Sequence, residues 1–323
     1  MFMKEHNYFS FFNNTSSARL IEQDIKNNQV HHAYMIVAGE SETANMFARF
    51  FAFKILCQSN NACLNCSSCL KAISESNADF KVYPKNKNIV VEDVLDITEN
   101  AYKTCVEGNV KVFLLNNFEN ANIITQNKLL KTLEEPPANT HLILSVSNPT
   151  QVLQTIKSRC KQVIIDNFDD NQIQSFLTAN GYSAETAKFV SAFSNGSIGS
   201  AMKNIQNPNF YEMVEVVLEL FLNCNKSSEM LSIVNKIAKH KGSLNTIFEL
   251  VEIVINKALM VKNADKSDLP EIVKVSENFT TLALNAIIKQ IAVAKEKLQF
   301  NCNTTSVIDM FVLKFLEEKY KWK

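Results

Sequence analysis

Four short runs of apolar residues constrain the fold of this chain more than any other feature of its sequence. They fall at residues 34–38, 110–115, 141–146 and 162–165. Continuous apolar runs of this length are typical of strands that are covered on both faces. Segments with helical spacing separate the runs, and strands that alternate with helices predict a parallel α/β sheet.

The second half of the chain has a different pattern, because the strand signals stop after about residue 166. Residues 170–203 predict two or three short helices around Gly181 and Gly196. From residue 207 the apolar residues recur at helical spacing up to the last helix. We therefore predict three domains: an α/β domain over 1–165, a small helical domain over 166–206 and an all-helical domain over 207–323.

Composition excludes several classes of protein. Lys plus Arg is 33 and Asp plus Glu is 33, so the formal charge of zero gives no global attraction to nucleic acid. No run of 18 apolar residues predicts a membrane span. The aromatic N-terminal segment lacks the cleavage pattern of a signal peptide, because polar residues interrupt Phe9, Phe11 and Phe12. We expect a cytoplasmic protein.

Four of the eight cysteines lie close together and predict a metal site. The pattern C-x5-C-x2-C-x2-C is formed by Cys57, Cys63, Cys66 and Cys69. In a reducing compartment, four thiolates at such spacing favour a closed, structural Zn²⁺ site. The polar residues between them cannot form a core, so the metal would supply the order. Free thiols, a redox pair and an iron–sulfur cluster are the alternatives.

The loop after the first apolar run lacks the residues of a phosphate-binding loop. Such a loop needs G-x-x-x-x-G-K-[ST], in which glycines let backbone N–H groups wrap the phosphates and the lysine and hydroxyl hold phosphate and Mg²⁺. Residues 38–45 read AGESETAN, with Ala44 at the lysine position and Asn45 at the hydroxyl position. Glu40 and Glu42 add negative charge where a triphosphate would bind. We expect no nucleotide cofactor here.

The acids that usually accompany a phosphate-binding loop are missing as well. A P-loop ATPase carries carboxylates after its second strand to hold Mg²⁺ and to orient water. After the run at 110–115 this chain has Asn116 and Asn117, and Glu119 is displaced from that position. An amide cannot act as a base, so two independent losses argue against ATP hydrolysis by this chain.

Several motifs resemble those of the bacterial clamp-loader subunits of DNA polymerase III, which have AAA+ folds. They are His32-Ala33-Tyr34, the four-cysteine segment, the run LLKTLEEPP at 129–137, and Ser158-Arg159-Cys160. The resemblance covers residues 16–205 by motif, and the helical remainder matches by layout and by Asn301-x-Asn303. It implies an AAA+-like sheet domain followed by a helical lid and a helical collar.

Two kinds of subunit share these motifs. The positions at which this chain departs from the motor-subunit pattern indicate which kind it resembles. The motor subunits gamma and tau have an intact P-loop, an Asp-Glu pair and an arginine in a lid segment G-S-x-R. Here that segment reads Gly196-Ser197-Ile198-Gly199, which resembles the delta-prime kind. By this resemblance Arg159 is an arginine finger that reaches the ATP site of an adjacent motor subunit, and the alternative is a salt-bridged surface arginine.

The resemblance also implies partners and a role. The partners would be gamma/tau, the delta subunit, the sliding clamp and, through the complex, primed DNA. The chain would act as a stator that holds the ring without itself being an enzyme. Two rival functions remain open: a motor ATPase with an unusual site, and a zinc-stapled adaptor outside replication.

Overall fold

The computed structural model describes residues 5–223, 227–263, 269–300 and 302–322. The chain divides into two compact units, Met1–Met202 and Lys203–Lys323. The first contains the predicted sheet and the second is helical throughout its described residues. This confirms the predicted α/β class with an all-helical C-terminal region, whereas the three domain boundaries stay predictions.

The first unit is built on one five-stranded parallel sheet with the strand order β2-β3-β4-β1-β5. Buried apolar side chains dominate the central strands, as expected of a sheet covered on both faces. Four strands coincide with the predicted apolar runs, and β2 was not predicted. The strands are β1 (Ala33–Ala38), β2 (Phe80–Tyr83), β3 (Lys111–Leu115), β4 (Thr140–Val146) and β5 (Lys161–Ile165).

Ten helices accompany this sheet in the described part of the first unit and its boundary. The last of them, α10, runs across the division between the two units. They are α1 (Glu5–Phe12), α2 (Ser16–Lys26), α3 (Ser41–Leu56), α4 (Ser67–Ile73), α5 (Val91–Ala101), α6 (Ile123–Glu134), α7 (Gln154–Lys157), α8 (Asp170–Ala179), α9 (Ala184–Ala192) and α10 (Ile198–Gln206).

Aromatic side chains pack α1 and α8 around α3. Phe9 lies 5.3 Å from Phe50 and Phe12 lies 5.1 Å from Phe47, measured between ring centroids. Phe11 contacts Phe176 of α8 at 5.3 Å. Such edge-to-face pairs add to the free energy gained by burying the rings. The aromatic N-terminal segment is therefore part of the core.

The second unit is a bundle of helices over its described residues. Phe221, Phe279 and Phe315 form an aromatic cluster in it, with Phe221 and Phe315 at 5.0 Å. Cys224 and Asn301 lie outside the described residues. The helices are α11 (Phe210–Leu222), α12 (Ser227–Lys239), α13 (Leu244–Lys262), α14 (Pro270–Asn278), α15 (Thr281–Gln299) and α16 (Thr304–Lys321).

None of the described helices is both long enough and apolar enough to span a lipid bilayer.

Candidate functional site

The loop between β1 and α3 is shorter than the sequence predicts. The apolar pattern after the loop predicts a helix from about Thr43 to Leu56, but the helix begins at Ser41 with Glu40 as its N-cap. The Glu40 carboxylate accepts a hydrogen bond of 3.0 Å from the Thr43 backbone N–H. A helix N-terminus favours an anion, and in P-loop proteins that anion is phosphate. Here the chain's own carboxylate takes that role.

The start of α10 packs directly on this loop. The hydroxyls of Thr43 and Ser197 lie 3.0 Å apart, and the Gly199 N–H donates to the Thr43 hydroxyl at 3.1 Å. A Cβ added at Gly199 would lie 2.5 Å from the Glu42 Cβ and 2.9 Å from the Thr43 nitrogen. Only glycine allows this close approach. Gly199 stands at the position where, by the resemblance, the motor subunits carry an arginine. Its backbone packs directly against the start of α3.

Amide and hydroxyl groups form a hydrogen-bonded network between α3, the residues after β3, and β4. The Asn45 amide donates to the Asn117 side-chain oxygen at 3.1 Å. The Ser145 hydroxyl donates to Asn45, and the Asn117 N–H donates to Ser145 at 3.0 Å. Ala44 beside them is fully buried. The structure thus brings together two predicted positions, 45 and 117.

Ser145 is a member of this network that sequence reasoning missed. It lies inside the apolar run of β4 and is fully buried. A buried hydroxyl in such a run needs a hydrogen-bond partner, because burying it without one costs about 1–3 kcal/mol on mutational scales. This need for a hydrogen-bond partner is the feature of the sequence that could have identified Ser145. Asn116, in contrast, is not part of the network, since its N–H donates to the Tyr83 carbonyl at 2.7 Å and its side-chain oxygen is buried without a described partner.

The Glu119 side chain contacts Ser147, just after the end of β4. Its carboxylate accepts hydrogen bonds from the backbone N–H and the hydroxyl of Ser147. The Ser41 hydroxyl in turn donates to Ser147 at 3.0 Å. The carboxylate therefore fixes two neighbouring chain segments.

The four clustered cysteines lie at the other end of α3. Their Sγ atoms are all within 4.8 Å of one another, so they can hold a metal ion. Tetrahedral zinc with Zn–S bonds of about 2.3 Å places sulfur atoms about 3.8 Å apart, which this arrangement accommodates. Two backbone N–H groups donate to sulfur, from Cys63 to Cys57 at 3.4 Å and from Cys66 to Cys63 at 3.3 Å. Such donors favour thiolates.

The surroundings of the thiols change their pKa values in different directions. Burial alone would raise the pKa of Cys57, but hydrogen bonds from the Cys63 N–H and from Ser59 outweigh it and lower that pKa to about 6. The pKa of Cys66 is also lowered, because hydrogen bonds outweigh burial. Burial raises the pKa of Cys69. A cation bound among the four would stabilise all of them as thiolates.

Arg159 lies just after α7, between β4 and β5. Its Nη1 donates to the Thr155 carbonyl at 2.8 Å and lies 3.4 Å from the Ser158 hydroxyl. Its Nη2 forms an ion pair with Glu134 at 2.8 Å, and 35% of its side chain remains exposed. Cys160 next to it is buried, which raises the pKa of its thiol to about 12. Cys160 is therefore a packing residue, and the Arg159 guanidinium faces the surface.

The chain matches the protein family described as "DNA polymerase III, delta subunit" over residues 13–169. It is 24% identical to the DNA polymerase III gamma subunit of Buchnera aphidicola over 90% of each chain. It is also 24% identical to the delta-prime subunit of Bacillus subtilis, over 93% of this chain and 95% of the relative. Overall identity therefore does not separate the two kinds of subunit.

One solved structure agrees with the fold over nearly the whole chain. It is a gamma-subunit-related protein of DNA polymerase III from Thermotoga maritima, which aligns with a TM-score of 0.50 and 14% identity. The alignment covers 94% of this chain and 100% of that chain. At this identity the likeness speaks for the fold alone.

Proposed function

We propose that this chain, which belongs to the DNA polymerase III clamp-loader family of delta-prime and gamma subunits, is a delta-prime-type subunit that does not hydrolyse ATP itself. The observation that carries the proposal is the capping of α3 by Glu40. Because this carboxylate already accepts the Thr43 N–H, the helix end offers a phosphate neither a positive charge nor a pocket lined by backbone N–H groups.

Electrostatics supports the same conclusion. Two like charges about 4 Å apart near a protein surface repel by about 4 kcal/mol. Glu40 and Glu42 would both oppose a triphosphate at this loop, and Ala44 supplies no compensating cation. The Asn45–Asn117–Ser145 network likewise offers neutral groups where an ATPase needs a Mg²⁺ ligand and a base.

Arg159 is the proposed contribution of this chain to ATP hydrolysis. It would reach the ATP site of an adjacent gamma/tau subunit and place a planar cation on the charge that develops on the transferred phosphoryl group. Its surface position and the motif Ser158-Arg159-Cys160 support this role. The other partners in the proposal are the delta subunit, the sliding clamp and primed DNA.

The proposed stator role follows from combining these features. Residues 207–323 would form the collar that assembles with the other subunits, and residues 166–206 would form the lid. A lid that closes on Thr43 through Ser197 and Gly199 does not require nucleotide to hold it. Such a subunit would keep a fixed geometry while its neighbours bind and release ATP.

The proposed cofactor is one structural Zn²⁺ held by Cys57, Cys63, Cys66 and Cys69. Four sulfur ligands close the coordination sphere, so the ion would order the segment and take no part in chemistry. The proposed location is the cytoplasm, where thiols stay reduced and remain available to a metal.

A motor ATPase is the second candidate, because the chain aligns with a gamma subunit over 90% of both chains. It would require the loop after β1 to open and Glu40 to leave the helix end. Binding of ATP by the isolated chain distinguishes the two candidates.

The experiment that tests the proposal is ATP hydrolysis by the reconstituted complex with Arg159→Ala, in the presence of clamp and primed DNA. An arginine finger contributes about 10³–10⁵ in rate at one site. The ring therefore loses the turnover of the site beside this chain, and clamp loading falls with it. Arg159→Lys does not rescue fully, because an ammonium lacks the planar fork.

Arg19→Ala is the matched control, since Arg19 is an exposed arginine on α2 in the same unit. The control is expected to match the unaltered complex. Full ATPase and loading activity in an assembled Arg159→Ala complex would show that Arg159 is structural.

A further inference from the structure

The ion pair between Arg159 and Glu134 joins the two most specific motifs of the sequence. Glu134 is the last residue of α6 and belongs to the run LLKTLEEPP, and Arg159 belongs to Ser158-Arg159-Cys160. The Nη2–Oε1 distance is 2.8 Å. No motif taken alone predicts this contact, because β4 and α7 separate the two residues along the chain.

We infer that Glu134 is a positioning residue that holds the Arg159 guanidinium in the orientation needed to reach a phosphoryl group on a neighbouring subunit. The inference rests on the proposed function of Arg159 as a trans arginine finger. Glu134 itself would touch neither the nucleotide nor the reacting atoms. It would act through Arg159 alone.

The contacts of the guanidinium support this role. Thr155 and Ser158 engage Nη1, whereas Glu134 engages Nη2, so the planar group is held from two sides. A guanidinium has five N–H donors. The Nε–H has no partner among the described residues, and the side chain is 35% exposed. The Arg159 guanidinium is therefore held in one orientation, while some of its N–H groups remain available to an incoming anion.

Flexibility is the reason that such a contact matters. An arginine side chain has many rotamers, and a preorganised fork loses less conformational freedom when it binds. The Thr155 carbonyl in α7 fixes one nitrogen, and removing the Glu134 carboxylate releases the other. Arg159 would then sample orientations that miss the phosphoryl group. Because donors remain beside the pair, Glu134 need not leave when the phosphate arrives.

The expected size of the effect is modest. Glu134 is half exposed, and exposed ion pairs are weak. Loss of the pair should lower turnover at the affected site by about 2–5-fold, which corresponds to about 0.4–1 kcal/mol at 1.4 kcal/mol per tenfold. The loss should appear in kcat with the KM for ATP unchanged, because an arginine finger acts in the transition state.

Glu135 provides a matched control. It is the next residue of the same motif, carries the same charge and is exposed, and its side chain has no partner among the described residues. Glu134→Gln and Glu135→Gln therefore change net charge equally at nearly the same place. Only the first removes an ion pair with Arg159.

The test compares steady-state ATPase of reconstituted complexes that carry Glu134→Gln, Glu135→Gln, Arg159→Ala or the double change Glu134→Gln with Arg159→Ala. Glu134→Gln is expected to lower kcat, and Glu135→Gln is expected to match the unaltered complex. In the double variant the effect of Glu134→Gln should vanish, because its target is gone. Thermal unfolding of each chain shows whether the fold is retained.

The outcomes separate this inference from the proposed function. If Arg159→Ala keeps full activity, the arginine finger is wrong and the inference falls with it. If Arg159→Ala is slow but Glu134→Gln equals Glu135→Gln, only the inference is overturned. It is also overturned if Glu134→Gln accelerates turnover, or if its effect persists unchanged without Arg159, since either result assigns Glu134 another role.

Discussion

The two ends of α3 differ in whether the chain satisfies its own chemistry. At the N-terminal end, the Glu40 carboxylate caps the helix and Ser197 and Gly199 close over it. At the C-terminal end, Cys57 begins a segment of four thiols that are close enough to share one ion. At the N-terminal end the chain's own groups cap the helix, whereas at the C-terminal end the four sulfur atoms lie close enough together to hold a metal ion.

Under the proposed function, this difference would explain how one fold can lose a nucleotide site and keep a metal site. Buried polar groups must find partners, so a site that no longer binds its ligand becomes filled with side chains that satisfy one another. Asn45, Asn117 and Ser145 form such a set of partners near the N-terminal end of α3. Between the cysteines only Ala62 and Leu64 are buried apolar residues, so a bound metal ion would add to the order of this segment.

Loss of the proposed metal ion should have the largest structural effect of the changes considered, at the C-terminal end of α3. Cys66→Ser removes one of four sulfur ligands, and we expect the zinc content to fall from one ion per chain to none. Structural zinc supplies on the order of 10 kcal/mol in isolated zinc-finger peptides. Residues 57–69 should then unfold locally, which limited proteolysis and metal analysis of the purified chain would detect.

Cys302→Ser is the control for this change, because Cys302 is an exposed, free cysteine in the second unit. It should leave zinc content and proteolysis unchanged. Two results would contradict the proposed metal site at the C-terminal end of α3. One is that residues 57–69 stay protected from proteolysis in the Cys66→Ser chain. The other is that the unaltered chain purifies without zinc and with four titratable thiols.

Substitution of Gly199 tests how tightly the start of α10 packs against the N-terminal end of α3. Gly199→Ala places a Cβ 2.5 Å from the Glu42 Cβ and 2.9 Å from the Thr43 nitrogen. Such overpacking should lower the free energy of unfolding by about 1–3 kcal/mol. For a domain of this size the midpoint of thermal unfolding should fall by about 2–4 °C per kcal/mol.

Gly108→Ala is the corresponding control, since a Cβ at Gly108 would meet nothing within 4 Å. Calorimetry of the two variants under one set of conditions makes the comparison. Equal stability of the two variants would mean that the start of α10 does not pack on the loop, and that room for a ligand remains.

The sequence predicted the elements better than the contacts between them. The other four strands were found from their apolar runs, whereas β2 was missed because it is a four-residue strand at the edge of the sheet with a lysine inside. The start of α3 was misplaced because glutamate is not among the residues that usually cap a helix. Pairs such as Asn45 with Asn117 depend on strand order, which local patterns do not encode.

The most direct test of the central claim is calorimetric titration of the isolated chain with Mg²⁺-ATP. If Glu40 and the lid residues fill the site, no saturable binding should occur up to about 1 mM ATP, the upper end of typical enzyme KM values. A gamma subunit with an intact P-loop serves as the positive control. Saturable binding of one ATP per chain, with a micromolar dissociation constant, would contradict the claim that this end of α3 is closed.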